Sequence, residues 1–472
     1  LKVRYLLPFC LLIGLQAEDL TTLLNNAVKS NPDVNRQLKY YESVLQDLNI
    51  AKAGNLPSLD FQSSAGRERT KREDQESTSL THYNNSITLS QNIFNGFKTT
   101  SEIKQNKARI SSAAYSVLDQ ANTVAFETIK SYLEVLKENE LTKLYEENVK
   151  NHQDILSKIE EKTNAGIGRQ SEVQQTQSRL FLAHSNYIVQ QNNYQDTLTN
   201  YHFYVGRHFD ESSYKKPTLN YAFPKSVDEV AQIALHNNPA IKVMYSNITA
   251  KKAEHEQTKS NFYPILDATI SQEWNDNIDG IEGTKESTDA YVTLRYNFYR
   301  GGADEAEKLK KLKEMQEENE ALNKTKRDII KAARLSYTSY KSYETQLKYL
   351  KQHVDASKLT LESYKDEYSL GRRDLLAILD AQKEYNTARQ TYTRAQYDLL
   401  ITKYKLLSSM NKLLGQFKLD IIKKVNTNTI KDEIITNENL LKNNLCDNPT
   451  NKEQLNNYGC EQTPELKIGY NL

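Results

Sequence analysis

Apolar residues recur at three- and four-residue spacing, with no Gly or Pro, over about 98–163 and again over about 303–370. That spacing predicts two helices of unusual length. Each is followed by a short break and a second helical run, over about 171–205 and 374–414. Four shorter stretches alternate instead. Leu59, Phe61, Ser63 and Ala65 share one side. Tyr83, Asn85, Ile87, Leu89, Gln91 and Ile93 share another. Leu266, Ala268, Ile270, Gln272 and Trp274 follow, then Ala290, Val292, Leu294, Tyr296 and Phe298. A period of two predicts strands. Charged or polar loops are expected between them at 67–78 and 275–287. Short helices are expected before each pair, over 19–30, from Asp33 or Asn35 to Gly54, over 227–237 and over 240–260, with Asn-Pro pairs as stops.

The same order of elements occurs twice. Asn31-Pro32 recurs as Asn238-Pro239, 207 residues later. Asn92-Ile93-Phe94-Asn95-Gly96 recurs as Asn297-Phe298-Tyr299-Arg300-Gly301, 205 later, and Gly206 recurs as Gly415, 209 later. Gly168 and Gly371, 203 apart, mark the tight turns at the tips of the two long helical hairpins. A nearly constant offset held through ordered landmarks argues for internal duplication. The expected segments are a first repeat over 18–206, a linker over 207–225, a second repeat over 226–415 and a tail over 416–472 that is Asn- and Lys-rich and largely irregular.

Composition strengthens the picture of long solvated helices. Hydrophobic residues make up 38% of the 472, charged residues 26%, Gly and Pro number only 15 and 9, and the mean hydropathy is −0.74. The net charge of +1 implies no broadly basic surface for nucleic acid. At the N-terminus, Lys2 and Arg4 precede an apolar run from Leu6 to Leu15, and Leu15-Gln16-Ala17 follows. This reads as a secretory signal over 1–17, with the mature chain expected from near Glu18. The run is too short to span a bilayer, and no later stretch approaches 18 apolar residues. Cys10 lies inside the signal and lacks the small residues that precede a lipid-modified Cys. Cys446 and Cys460 lie in the tail. In an exported protein such a pair suits a disulfide closing a small loop; two free thiols are the alternative.

The strands carry the functional weight. Each half has one hairpin long enough to cross a bilayer at a tilt. Four strands cannot close a membrane barrel in one chain, and open edges are not tolerated in lipid. If these hairpins span a membrane, several copies must share the barrel. Phe94 and Phe97, Phe262 and Tyr263, and Phe298 and Tyr299 cluster where strand meets helix, as an interfacial belt or a junction core would. The long helices carry more than one apolar line, for example Leu118, Ala121, Ala125, Tyr132 and Val135 beside Val117, Val124 and Ile129. That width suits a neighbour on each side, although an ordinary antiparallel bundle uses the same pattern.

Signal, duplication, paired hairpins, long helices and tip turns together resemble the TolC family of outer-membrane factors, over roughly 18–415. The most specific part is Tyr368-Ser369-Leu370-Gly371 followed by Arg373 and Leu379-Asp380-Ala381. The resemblance implies a mostly α fold with a β-barrel part. Long antiparallel helical hairpins would form a hollow α-barrel, and four strands per chain would enter a twelve-stranded transmembrane barrel shared by a homotrimer. It implies that Tyr368 and Arg373 hold the periplasmic entrance shut, with Glu172 as an acidic partner, and that Asp380 rings the constriction. A second acidic ring of the family is replaced here by Ala377. Taken alone, these residues read as a helix-packing tyrosine, an exposed charge near a helix start and a solvated carboxylate.

No Walker loop, dinucleotide fingerprint, His-Glu-x-x-His or Cys-x-x-Cys occurs, and His202 and His208 are poorly spaced for a metal. No enzyme, cofactor or metal is expected. The reading is a trimeric outer-membrane channel with a long periplasmic extension. It would pass substrates from an inner-membrane transporter, through a periplasmic adaptor, in efflux or type I secretion. Its contacts would be outer-membrane lipid and those two partners, with no nucleic acid. The rival is an exported coiled-coil scaffold or adaptor without a pore, which has no need of the alternating hairpins.

Overall fold

The computed structural model describes residues 20–71, 73, 76–210, 215–419, 421 and 425. The expected signal with Cys10, and the Cys446–Cys460 pair, lie outside the described residues. The elements are α1 (Leu20–Ser30), α2 (Pro32–Ala53), β1 (Ser58–Thr70), β2 (Thr78–Phe94), α3 (Lys98–Asn164), α4 (Gln170–Val205), α5 (Val227–Asn237), α6 (Pro239–Thr258), β3 (Ile265–Asp276), β4 (Thr284–Arg295), α7 (Ala303–Ser369), α8 (Leu375–Ser409) and α9 (Leu413–Gln416). The long helices α3 and α7 have 67 residues each, about 100 Å at 1.5 Å per residue.

Local chemistry sets the boundaries. Pro32 opens α2 because a helix's first residue needs no N–H partner, and the Asn31 side chain caps the turn by accepting from the amides of Asp33 and Val34. Ser226 caps α5 by accepting from Glu229 N, and Asp374 caps α8 by accepting from Ala377 N at 3.0 Å. Gly206 ends α4 in the left-handed region at φ 78°, where a Cβ would be strained. Two expectations need correction. The helix expected to reach 414 ends at Ser409, because Asn411 turns left-handed (φ 52°) before α9. The loops expected at 67–78 and 275–287 shrink to 71–77 and 277–283, because the ladders continue through charged residues, pairing Arg67 with Thr81 and Asn275 with Lys285. Ladder bonds are made by the backbone and tolerate any side chain that reaches water.

The chain divides into two compact units, each drawing on both halves of the sequence. The unit built from the described residues of 39–116 and 240–324 holds a four-stranded antiparallel sheet in the order β1-β2-β3-β4. Near it, Glu254 on α6 accepts from Gln105 and Arg109 on α3 and pairs with Lys251 and Lys311, which ties α3, α6 and α7 by charge. The unit built from the described residues of 20–38, 117–239 and 325–421 holds the hairpins α3–α4 and α7–α8. Ile129, Leu133 and Leu141 of α3 and Tyr404, Leu406 and Leu407 of α8 are fully buried there. Polar links also join these helices: Arg389 grips Glu147 with two bonds of 2.7 and 2.9 Å, and Tyr397 Oη donates to Glu140 at 2.8 Å.

The connection between the halves is clamped at both ends by equivalent residues. Tyr132 and Tyr337 lie 205 apart, the offset of the Asn92 and Asn297 landmarks. Tyr132 Oη donates to Lys215 O at 2.9 Å and accepts from Lys215 N at 3.3 Å, while Tyr337 Oη donates to Lys225 O at 2.6 Å. Between them the Lys216 ammonium lies 4.2 Å from the Tyr397 ring centroid, and Phe223 packs on Tyr340. Removing one such hydroxyl, with Tyr132→Phe or Tyr337→Phe, is expected to cost about 1 kcal/mol. Hydrogen exchange at 215–225 should quicken in each variant, and more in the pair; unchanged protection would mean that the hydroxyls do not hold the segment.

Candidate functional site

The residues singled out from the sequence gather at the two hairpin tips. At the second tip the α7 helix closes with Gly371 N donating to Tyr368 O at 3.0 Å and Arg372 N to Glu367 O at 2.9 Å, and Gly371 sits at φ 71°. At the first tip the matching bonds run from Gly166 N to Thr163 O and from Ile167 N to Lys162 O, each 3.0 Å, with Gly166 at φ 78°. The counterpart of Gly371 is therefore Gly166, at an offset of 205, and not Gly168 at 203. Gly168 lies in the same turn for another reason: a Cβ there would come within 2.4 Å of Thr163 Oγ1 and 2.8 Å of Thr163 N.

Tyr368 packs beside a buried cluster of Ile159 and Val173 from the first hairpin and Leu375 and Leu379 from the second. The Lys162 ammonium, also from the first hairpin, lies 4.4 Å from its ring centroid. Arg373 is held inside its own hairpin. Its Nε donates to Glu367 Oε2 at 2.5 Å, and its guanidinium carbon lies 3.8 Å over the Tyr364 ring. Glu367 holds the Arg373 guanidinium more firmly protonated than usual. Glu172 stands in the first turn of α4, half-buried, where a carboxylate meets the positive end of the helix dipole. Asp380 pairs with Arg179 of α4 at 3.0 Å. The structure thus brings both hairpins into contact through Tyr368 and through Asp380. Sequence reading passed over Lys162, Arg179, Tyr364, Glu367 and Gly166. Only Gly166 carried a findable signal, its constant offset from Gly371. His202 and His208 stack face to face with centroids 4.6 Å apart, and no group of three His, Cys, Asp or Glu among the described residues converges as a metal site.

The second candidate surface is the sheet. Directly paired residues share a face. One row runs Leu59, Leu89, Ile270, Ala290; beside it lie Phe61 with Ile87, Ala268 with Val292, and Leu266 with Leu294. The faces expected from alternation fall on this side with three exceptions: past a register shift between Asn92 and Phe94 it is Phe94 and not Ile93 that stands opposite Leu266, and Tyr296 and Phe298 lie beyond the end of β4 at Arg295. The opposite rows are polar: Asp60, Thr88, Ser271, Asp289, then Gln62, Ser86, Glu273, Ser287. Burial is inverted relative to a water-soluble sheet. Leu59, Phe61, Val292 and Leu294 are each more than 60% exposed, while Ser271 and Asn275 are buried. The apolar rows from Leu266 to Gln272 cover roughly 20 Å at about 3.4 Å per residue. Tyr83 and Trp274 lie beyond them at one end. At the other, Phe94, Phe97 and Tyr263 meet edge to face at 5.3–6.3 Å, and Phe298 is 90% exposed. Among the described residues the outer edges of β1 and β4 have no partner strand. No described helix is long and apolar enough to cross a membrane.

His152 on α3 is buried, its Nδ1 has no hydrogen-bond partner among the described residues, and Arg179 stands near it. Burial, and then the Arg179 charge, hold it below the usual histidine range. The unfolded chain therefore takes up a proton as pH falls through about 6.5 while the folded chain resists it, and stability falls in that window. Protection factors at α3–α4 near His152, exchange rates referred to the intrinsic rate at each pH, should fall between pH 7.5 and 5.5, and His152→Leu should remove that fall. Equal pH responses in both proteins would dismiss the role of His152.

A protein-family model described as outer membrane efflux protein matches residues 23–207 and 230–412. Outer membrane protein TolC of Escherichia coli is 22% identical over 441 residues, covering 88% of each chain. The proteases secretion protein PrtF of Dickeya chrysanthemi is 20% identical over 366 residues, 75% of this chain and 79% of its own. In fold, the outer-membrane channel OprN superposes with a TM-score of 0.74 at 14% identity, covering 83% of this chain and 90% of its own. The Campylobacter jejuni CmeC outer membrane channel gives 0.73 at 16%, covering 87% and 89%.

Proposed function

The chain belongs to the outer membrane efflux protein family, and on that premise we propose that three copies close one barrel around a shared pore gated at the hairpin tips. It is a TolC-like outer-membrane channel. The observation that carries the trimer is the sheet, with an apolar face turned outward, a polar face turned inward and two unpaired edges. In lipid each unpaired backbone group is costly. Three four-stranded sheets joined edge to edge satisfy every ladder and place the polar rows around a lumen. The aromatic residues beyond each end of the apolar rows suit the two membrane interfaces.

The pore continues through the long helices to the tips. There Tyr368, Arg373 and Glu172 hold the second hairpin against its neighbours, and Asp380 faces the constriction. The contacts suit a gate because they are polar, partly exposed and individually weak. A periplasmic adaptor and an inner-membrane transporter dock at the tips, displace these contacts and supply the energy, since the channel has no chemistry of its own to drive flow. A family named for efflux and a relative named for the secretion of proteases support a channel that serves efflux or secretion.

The first test is single-channel recording of the full-length protein in a planar bilayer. Small, mostly closed conductance steps are expected, rising severalfold in Tyr368→Phe/Arg373→Ser. A conductance unchanged by that pair would remove the gate assignment, and folded protein that never inserts would remove the pore. The barrel face has its own test. Val292→Arg, in the apolar band, should cost about 2–4 kcal/mol of barrel stability and reduce membrane-inserted trimer. Thr293→Arg, on the polar face, should insert normally. Equal insertion of the two would contradict the assignment of faces.

A further inference from the structure

The entrance as assigned above would be lined by three Asp380 carboxylates, yet each of these is already half of an ion pair. Arg179 Nη2 lies 3.0 Å from Asp380 Oδ1, and the two residues come from different hairpins, α4 and α8. The arginine is the more enclosed partner: its side chain is 28% exposed against 58% for the aspartate. It sits on α4 between the buried Thr176 and Leu180 on one side and the buried Ala183 on the other. His152 near it is buried, and burial and then the Arg179 charge hold it below the usual histidine range. Of the other charged residues on α8 near Asp380, Lys383 stands three positions on and is exposed, and it is Arg179 and not this lysine that pairs with Asp380. Glu384, one turn on, pairs with His353 at 2.9 Å, and the position one turn back is Ala377.

We infer that Arg179 is a specificity-determining residue of the channel, one that cancels the charge of the Asp380 ring and leaves the entrance neutral toward ions. The inference rests on the assignment of Asp380 to the pore made under the proposed function. A ring of three free carboxylates in a narrow, water-filled constriction concentrates cations, and polyvalent ones most strongly. The same ring with three guanidinium groups bonded to it carries no net charge, so neither cations nor anions are held there. Passing cargo then meets a constriction that screens by size and not by charge. An ion pair this exposed adds little to stability, so its arginine can be replaced without unfolding the hairpins, and its effect is to be sought in ion binding.

The experiment is block of single-channel current by lanthanum ion, added on the side of the helical tips to full-length protein in planar bilayers. Wild type, Arg179→Gln, Arg179→Lys, Asp380→Asn and Arg179→Gln/Asp380→Asn are compared, each first shown to insert as wild type does. Freed carboxylates should bind the trivalent ion, so Arg179→Gln is expected to lower the half-blocking concentration by roughly tenfold or more. Arg179→Lys should restore the wild-type value, and the double variant should lose the added sensitivity. A half-blocking concentration unchanged in Arg179→Gln overturns the inference. So does a higher conductance in Arg179→Gln with no gain in block, which would make the pair a latch and not a neutraliser. If Arg179→Gln gains sensitivity but the double variant keeps it, the ion binds elsewhere, and the assignment of Asp380 to the pore falls as well. If Asp380→Asn alone alters block while Arg179→Gln does not, the pore assignment stands and only the role of Arg179 is lost.

Discussion

Every backbone N–H and C=O placed in a membrane must find its partner within protein, and the rest of this molecule follows from that requirement. The sheet of four strands meets it internally along three ladders and fails it along the outer edges of β1 and β4. Its side chains make the failure specific to lipid. Leu59, Phe61, Val292 and Leu294 would be a liability in water, and they are a solvent match in a bilayer. A chain with this sheet is therefore incomplete as a single copy, and identical copies can complete it because β1 and β4 are the opposite edges of one sheet. The duplication fits the same logic. Each repeat supplies one hairpin, and the antiparallel pairing of β2 with β3 fuses the two.

The duplication also governs the helical part, and an offset of 205 recurs at three places along the chain. It relates Asn92 to Asn297 at the exit from each hairpin, Tyr132 to Tyr337 at the clamps on the linker, and Gly166 to Gly371 at the tips. Between clamp and tip each long helix runs for about thirty residues, close to 50 Å at 1.5 Å per residue. The clamps are backbone-directed and hold both ends of 215–225. The tips are joined by a cation over a ring, an ion pair and a small apolar cluster. The restraint is firm at one end of this span and light at the other, as a moving tip on a fixed middle requires.

Much of this was legible in the sequence. Alternation placed the strand faces on the correct side except at Ile93, past a bulge, and at Tyr296 and Phe298, beyond the end of β4, and breaker-free periodicity delimited α3 and α7 to within one residue. What escaped has a common physical cause. The strands run further than alternation indicated because Arg67, Arg69 and Lys285 pair through their backbones while their side chains reach water, and polarity alone reads as loop. The helix α8 stops early at Asn411, a residue able to turn left-handed without the glycine that would have announced it. At the tips, the resemblance pointed to Tyr368, Arg373, Glu172 and Asp380, but the residues that touch them are more than a hundred positions away, or, like Glu367, anonymous members of a charged helix. Partners across hairpins leave no periodic trace.

Those partners change what the tip can be. Arg373 already has a carboxylate and a ring within its own hairpin, so a contact to a neighbouring copy must be shared with Glu367 and Tyr364 or exchanged for them. A charge that keeps a partner in either state avoids the large cost of an unpaired one, and the difference between closed and open then comes down to small terms of order 1 kcal/mol each. Tyr368 behaves similarly, since the lysine whose ammonium lies over its ring, Lys162, is itself exposed. A gate assembled from buried, fully desolvated pairs would be costly to break. One assembled from half-exposed pairs, each with an alternative at hand, can be displaced by the modest binding energy of a protein docking on the hairpin tips. The energetic scale of the tip contacts thus favours control from outside the channel over control by the channel itself.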